Sequence, residues 1–531
     1  MSEQTASPKN NHRLVLAVVA VAALTFFLGG FTNARRGWKE GDVAPAAVYA
    51  PFDFSVEEKG AAVEVKRGEL LVSRGQRLTQ QQVARLEASE EILAGKRRFS
   101  HGWGALGLSI LFAAMGAVYL KRSEPKIWRN TSHLVLILLA VNLIMGLGRL
   151  VSSSPLSAEW IPVATVSMFL SMLFSPRLGV AFGLMTTILT ALIAGASLPW
   201  VAAASMGCFV GAYGMRGVRR RIHFFRIGLL TGAAQGLTVL AGDLLMSTPF
   251  LGGLGESAAT VGCGFVSALI TFCLLPLAES FFGLMTDVSL LELSDLNHPL
   301  LRELSVKAPG TYHHSLIVAN LAEAAGEAVG ANALLARVGC YFHDIGKMLH
   351  PEYFVENQPP KHSRHDTLVP SMSTLVILNH VKDGMELARR YRLNDAIIDF
   401  IPGHHGTGLI YYFYRRALEE VEDDTLLKEE RFRYPGPKPQ TKETAIALLA
   451  DSVEAATRAL KEKSPTRLEE VVRRIINNKF IDGQLDDCDL TLRDLDRIAQ
   501  SFLRVLAGIY HHRVEYPQAP GEEPDAVAHA G

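Results

Sequence analysis

In GCYFHDIGK, residues 339–347, a histidine and an aspartate stand side by side after an apolar run, with a lysine three positions on. Ionisable groups on what would otherwise be a buried helix face are costly unless something pairs or binds them. Neutral imidazole offers one lone pair while its other nitrogen is oriented by a neighbour, which makes histidine the commonest transition-metal ligand. Other candidate donors follow the same logic. His313 and His314 open one helical pattern, His343 and Asp344 close the next, His380 lies on a third, His404 and His405 follow FIPG, and Asp451 interrupts the apolar face of AIALLADSVEAA. Singly, each has an ordinary explanation, since a lone histidine is usually a satisfied core or surface residue and a lone helical aspartate is usually solvated. As a set they point to metal chemistry. The run LLARVGCYF places Asp344 near a core, where a lone carboxylate would cost roughly several kcal/mol. A shared cation removes that cost, and the two oxygens of Asp344 suit it to bridge two ions about 3.5–4 Å apart, as in two-metal phosphoesterases. A second His-Asp pair, His365 and Asp366, lies in a polar, Pro-flanked loop with no apolar helix before it and is set aside.

The elements that must position these groups are helices. Apolar periodicity predicts them at about 312–328, 331–345, 369–390, 394–402, 409–430, 441–462, 465–478 and 490–511, with almost no strand signal, so the domain at 312–517 is all-α and its site is built from facing helices. A helical linker, 282–311, precedes it, broken by Pro299 and Pro309. The tail, 518–531, reads as disordered.

The first half of the chain is different. Of 531 residues 49% are hydrophobic, and the apolar ones concentrate before Phe281. Stretches of the roughly 17–25 residues that a bilayer core demands occur once alone, at Leu14–Phe31, and then at about 103–120, 132–151, 160–175, 178–198, 199–215, 227–246 and 258–280. The expectation is a cytoplasmic stub with a first span at 1–32, a short outer segment at 33–101 and a seven-span bundle at 102–281. The first span is read as an uncleaved anchor, although FTNA has the small-x-small pattern of a signal-peptidase site. In the outer segment, Thr79 and Gln82 have capping-box spacing ahead of a helix with Val83, Leu86 and Leu93 inward. The loops KRSEPKIWR and RGVRRRIHFFR are basic while SSSPLSAE and STPFLGGLGES carry no Lys or Arg, which puts the C-terminal domain in the cytoplasm. Few ionisable residues interrupt the spans; Asp243 sits near a span end and Gln235 is uncharged, which speaks against a pump or transporter. The 53 basic and 53 acidic residues balance, giving no electrostatic case for a nucleic-acid polymer as partner. Five cysteines without metal-type spacing argue against disulfides and zinc knuckles.

The order H, HD, H, HH, D resembles the HD superfamily of metal-dependent phosphohydrolases, whose fold is an all-α bundle. More sharply, LNHPLLRELSVKAPGTYHHSLIVANLAEAA, HDIGK, YFVENQ, NHVKDG, HHGTGLIYYFY and DGQLDDCDLTLRDL are similar to the seven-transmembrane HD proteins of the PgpH type. The likeness runs from about residue 100 to 517. It implies a multi-pass protein of the bacterial cytoplasmic membrane that hydrolyses cyclic di-AMP to linear pApA. It selects His314 over His313 and implies metal ligation by His314, His343, Asp344, His380, His404, His405 and Asp451. Two transition-metal ions are expected, iron or manganese by family likeness. Asp344 and Lys347 would act in catalysis, and Tyr353, Asn357 and Gln358 in YFVENQ would contact substrate. Regulation through the bundle and a homo-oligomeric state are compatible with this reading. One departure from the family is the outer segment of about 70 residues, where a large extracytoplasmic domain is usual.

Three other readings compete. Other HD phosphohydrolases act on cyclic di-GMP, ppGpp or a dNTP, but the cyclic di-GMP branch continues its double histidine as HHE with a later GYP, and here the text is HHGTGL. A non-enzymatic receptor with a structural metal site would have no need of Lys347. A transporter would need charged residues inside the spans.

Overall fold

The structure is a computed structural model and describes residues 38–510 except 45–47, 59–60, 74, 195, 247–249, 360–362 and 421–427. The expected first span and the terminal tail lie outside the described residues. The chain divides into two compact units, one ending at Thr286 and the other beginning at Asp287.

The first unit opens with strands that the sequence reading did not anticipate. β1 (Val48–Tyr49) pairs antiparallel with β4 (Leu70–Val72), and β2 (Phe54–Glu58) forms a hairpin with β3 (Ala61–Val65). Alternate residues of these short runs, Phe54, Val56 and Val65, meet Leu71, Leu78 and Leu86 in a small core. The capping box is present: the Gln82 N–H donates to Thr79 Oγ1, and Gln82 Oε1 accepts from the Thr79 N–H at 3.1 Å. It starts α1 (Gln80–Ser123), on which Leu86 is buried and Val83 packs against the same core, as expected; the side chain of Leu93 is not described.

Apolar helices occupy all seven expected bundle stretches. The C-terminal part of α1 is followed by a short α2 (Pro125–Arg129), then α3 (Thr131–Ser152), α4 (Ala164–Leu173), α5 (Pro176–Ala194), α6 (Leu198–Gly214), α7 (Arg221–Leu245) and α8 (Phe250–Phe282). Five of the seven are long and apolar enough to cross a membrane; the segments Ala158–Leu173 and Leu198–Gly214 are shorter apolar helices. The boundary within 178–215 falls at Ser197, whose hydroxyl caps α6 ahead of Pro199.

Between apolar helices there is no hydrophobic driving force in lipid, so close backbone approach must hold them. α7 carries Gly228, Gly232 and Gly236 at four-residue spacing along the face against α8. A β-carbon on Gly232 would lie 2.4 Å from the Val261 carbonyl oxygen, and one on Gly264 would lie 2.3 Å from the Gly232 nitrogen. Gly232→Leu is therefore expected to separate the two helices and reduce the yield of folded protein extracted in detergent. Size-exclusion chromatography against Gly255→Leu, where a β-carbon meets nothing within 4 Å, checks this.

The second unit is helical: α9 (Asp287–Leu293), α10 (Pro299–Lys307), α11 (Pro309–Val329), α12 (Ala333–Phe342), α13 (Pro370–Arg390), α14 (Asp395–Ile398), α15 (Phe400–Gly403), α16 (Tyr411–Glu420), α17 (Lys442–Arg458), α18 (Pro465–Ile481) and α19 (Leu492–Ile509). The stretch expected as a linker is folded into this unit, since α9 packs on α12 and α10 on α11. Pro299 and Pro309 do not break a helix; each occupies a first turn, where a missing N–H is harmless.

Candidate metal centre

Five segments deliver the candidate donors. α11 begins at Pro309, and the Asn357 side-chain oxygen accepts from the Thr311 N–H at 3.1 Å, fixing the turn that presents His314. His314 is 3% exposed, whereas His313 beside it is exposed, so only the first can face a centre. α12, capped by Asn332, buries its apolar face and ends at His343. The chain then turns through a 3₁₀ segment, Ile345–Leu349, leaving Asp344 fully buried. His380 lies on α13, His404 and His405 follow α15, and Asp451 is on α17, whose N-terminus is capped by Thr441. Glycine allows these helices to meet closely: a β-carbon on Gly339 would lie 2.5 Å from the Phe400 ring, and one on Gly403 would lie 2.3 Å from Thr444 Cγ2.

All seven expected ligands come together, in two groups that share Asp344. His314, His343, Asp344 and Asp451 form one, and Asp344, His380, His404 and His405 the other, with donor atoms in each within 4.8 Å of one another. The two oxygens of Asp344 divide between them. Oδ2 is 3.5 Å from His314 Nε2 and 3.3 Å from His343 Nε2; Oδ1 is 3.5 Å from both His380 Nε2 and His404 Nε2. Asp451 Oδ1 lies 3.0 Å from His314 Nε2, and His405 Nε2 lies 3.2 Å from His380 Nε2.

Most of the imidazoles are oriented from behind. His343 Nδ1 donates to the Cys340 carbonyl at 2.7 Å, His380 Nδ1 to Ile377 at 2.5 Å, and His404 Nδ1 to Phe400 at 2.9 Å. These bonds fix the tautomer and aim each Nε2 lone pair inward. Asp344 Oδ1, His343 Nε2 and His404 Nε2 are buried and make no hydrogen bond. A buried polar atom left unpaired costs about 1–3 kcal/mol, and here several converge on the same small spaces. Imidazole nitrogens and carboxylate oxygens so arranged fit divalent transition-metal ions.

The charges are unevenly disposed. Burial disfavours the ionised form of Asp344, but the Lys347 ammonium and neighbouring imidazoles reverse that and hold its carboxyl well below the usual range. Burial also opposes a proton on His343 while Asp344 and Asp451 favour one, so positive charge is drawn to Nε2, where a bound cation would take the proton's place. At His380 burial prevails and lowers the pKa to about 4.

Lys347 Nζ sits 2.7 Å from Asp344 Oδ2 and 3.0 Å from Glu356 Oε1, with the Phe354 ring beneath it at 5.1 Å. Other residues of YFVENQ bond within the protein. The Asn357 amide is engaged by Thr311 on both sides, accepting from its N–H and donating to its hydroxyl at 2.9 Å, so it holds the start of α11. Gln358 donates to the Glu352 carbonyl, and Tyr353 packs against His365 with ring centroids 5.5 Å apart. Asn357 and Gln358 thus each make a hydrogen bond that shapes the wall beside Lys347. His365, set aside from the start, belongs to neither donor group; its Nε2 donates to the Tyr353 carbonyl at 2.9 Å and ties that wall down.

Three residues near the centre escaped the sequence reading. Glu454 accepts from His314 Nδ1 at 2.5 Å, and its spacing of three from Asp451 on one helix was a signal that could have found it. Glu356 pairs with Lys347. Tyr434 stacks on His405, with centroids 4.0 Å apart and planes at 20°, from a loop that has no periodic pattern to read.

Known proteins resemble this chain along most of its length. Residues 101–286 match the family model described as 7TM receptor with intracellular HD hydrolase, and residues 311–456 match that of the HD domain. Cyclic-di-AMP phosphodiesterase PgpH of Bacillus subtilis is 36% identical over 496 residues, covering 90% of this chain and 69% of the relative; that of Listeria monocytogenes is 35% identical over 520 residues, covering 92% and 69%. A crystal structure of the Listeria PgpH HD domain in complex with cyclic di-AMP is 49% identical, with a TM-score of 0.39, covering 41% of this chain and 100% of that one. With apolar helices long enough for a membrane, an HD motif whose aspartate joins two donor groups, and relatives aligned along nine-tenths of its length, this chain is a membrane hydrolase that belongs to the PgpH-type family of seven-transmembrane HD phosphodiesterases.

Proposed function

We propose that the protein hydrolyses cyclic di-AMP to pApA at a two-cation centre, facing the cytoplasm from the bacterial cytoplasmic membrane. The observation that carries this reading is Asp344, whose two oxygens each face a separate cluster of imidazole nitrogens. His314, His343, Asp344 and Asp451 would hold one ion and Asp344, His380, His404 and His405 the other, iron or manganese by family likeness. Divalent cations held there would supply Lewis acidity, making hydroxide available near neutral pH and neutralising phosphate charge. The chain's own residues do the remaining work. The backbone carbonyls behind His343, His380 and His404 keep those rings from turning, so the donor geometry exists before substrate arrives. Glu356 holds Lys347 beside Asp344, where its ammonium can meet a non-bridging phosphate oxygen. The names of the Bacillus and Listeria relatives support cyclic di-AMP as substrate. The basic loops at 121–129 and 216–226 support the orientation.

The test is turnover by the detergent-solubilised full chain, loaded with Mn²⁺ and offered cyclic di-AMP, cyclic di-GMP, ppGpp and a dNTP in separate reactions. Conversion of cyclic di-AMP to pApA at the highest kcat/KM is expected. Preference for another nucleotide, or no turnover of any by a metal-loaded chain, would overturn the reading.

A further inference from the structure

The two donor groups are not equivalent, and the difference lies behind the ligands. In the second group His380 and His404 are each backed by a neutral backbone carbonyl, and the only carboxylate present is the shared Asp344. In the first group His343 is backed by a carbonyl in the same way, but His314 is backed by Glu454, whose carboxylate is 1% exposed and 2.5 Å from Nδ1. Asp451 adds a further carboxylate that the second group lacks. Charge opposing a cation is also nearby, and it faces the first group. Lys347 touches Asp344 Oδ2, but Glu356 offsets its charge; Arg458 Nη1 stands 3.7 Å from Glu454 Oε2 at the half-exposed end of its side chain. Two extra carboxylates in a buried site outweigh one ammonium already paired and one guanidinium open to solvent, because screening weakens the latter most.

Building on the two-cation reading above, we infer that Glu454 is a positioning residue for His314, and that through it the His314, His343, Asp344, Asp451 group holds its cation more tightly than the Asp344, His380, His404, His405 group. A carboxylate on Nδ1 fixes the tautomer and increases the electron density at Nε2, and loss of such a partner typically weakens metal binding by about 10- to 100-fold. The centre thus has one retained ion and one exchangeable ion.

Equilibrating the solubilised full chain against a graded series of free-Mn²⁺ buffers, with bound manganese read by elemental mass spectrometry, tests this without reference to turnover. Wild type is expected to lose two equivalents in two steps separated by at least about tenfold in free metal. In Glu454→Gln, which keeps the side-chain shape, the tighter step moves about 10- to 100-fold toward weaker binding. In His405→Ala the weaker step disappears while the tighter one stays. Coincident steps in wild type, an unmoved tighter step in Glu454→Gln, or a tighter step lost in His405→Ala and kept in His314→Ala would each overturn the inference. If Glu454→Gln does not fold, Glu454→Asp, which keeps the charge but draws it back from Nδ1, takes its place with a weakened tighter step expected and an unmoved one overturning the inference. Two equivalents bound with full cyclic di-AMP turnover but no separation of steps would sink the inference alone, whereas failure to bind two equivalents would sink the two-cation reading with it.

Discussion

Asp344→Asn is expected to reduce phosphodiester hydrolysis by about three orders of magnitude while leaving the helical fold in place. Asparagine matches aspartate in shape, so the fully buried site keeps its packing. What changes is donor capacity. The amide has one oxygen where the carboxylate has two, so it can serve the His314 and His343 side or the His380 and His404 side, not both, and its NH₂ turns a donor toward lone pairs. It also removes the charge 2.7 Å from Lys347. The measurement is kcat together with metal content and far-UV circular dichroism. The double variant with Lys347→Met separates two explanations. If the loss came from the stranded ammonium, removing it would restore turnover; no restoration is expected, because the missing carboxylate is the joint between the two donor groups. Turnover equal to wild type in Asp344→Asn would refute the role given to this residue.

The sequence made the ligands legible because their chemistry is conspicuous wherever it interrupts an apolar pattern. His343 and Asp344 end an apolar helix, and Asp451 breaks one, so burial and the need for a partner could be argued before any coordinates. Helix periodicity located α11, α12, α13, α17, α18 and α19 to within a few residues for the same reason. What sequence could not show is which polar groups look at each other across elements distant in the chain. Family likeness alone singled out Asn357, and only its contact with Thr311, 46 residues away, shows that it holds a helix end. Glu454 resembles any solvated helical glutamate until the burial of its face is known. The prolines at 299 and 309 were legible as boundaries but not as starts, because a proline that ends one helix and one that begins another read alike. The short strands β1 to β4 were missed since runs of two to five residues carry little periodic signal.

The glycine of HDIGK gives the second large effect, and it follows from backbone packing alone. A β-carbon on Gly346 would lie 1.9 Å from the His380 carbonyl oxygen and 2.6 Å from the Gly384 nitrogen. Both obstacles are backbone of α13, so no side chain can swing away to make room. Gly384 is the matching half of the crossing, since a β-carbon there would lie 3.3 Å from the Gly346 nitrogen. Ordinary contact for a β-carbon begins near 3.4 Å, so Gly346→Ala must push the 3₁₀ turn off α13 by more than an ångström. Asp344 is two residues before that turn's glycine and His380 is the very residue struck, so the substitution pulls apart the Oδ1 to Nε2 approach of 3.5 Å. A misplacement of about 1 Å in a catalytic constellation is worth about 100-fold in rate, and forced overpacking costs about 1–3 kcal/mol. Gly346→Ala is therefore expected to lose at least about 100-fold in kcat, to bind less manganese and to melt earlier by circular dichroism. Gly508→Ala on α19 is the control, because nothing stands within 4 Å of its β-carbon and alanine suits a helix better than glycine. Near-normal turnover in Gly346→Ala would mean that the turn and α13 are not in contact as described, and with that the joining of the two donor groups through Asp344 would lose its structural support.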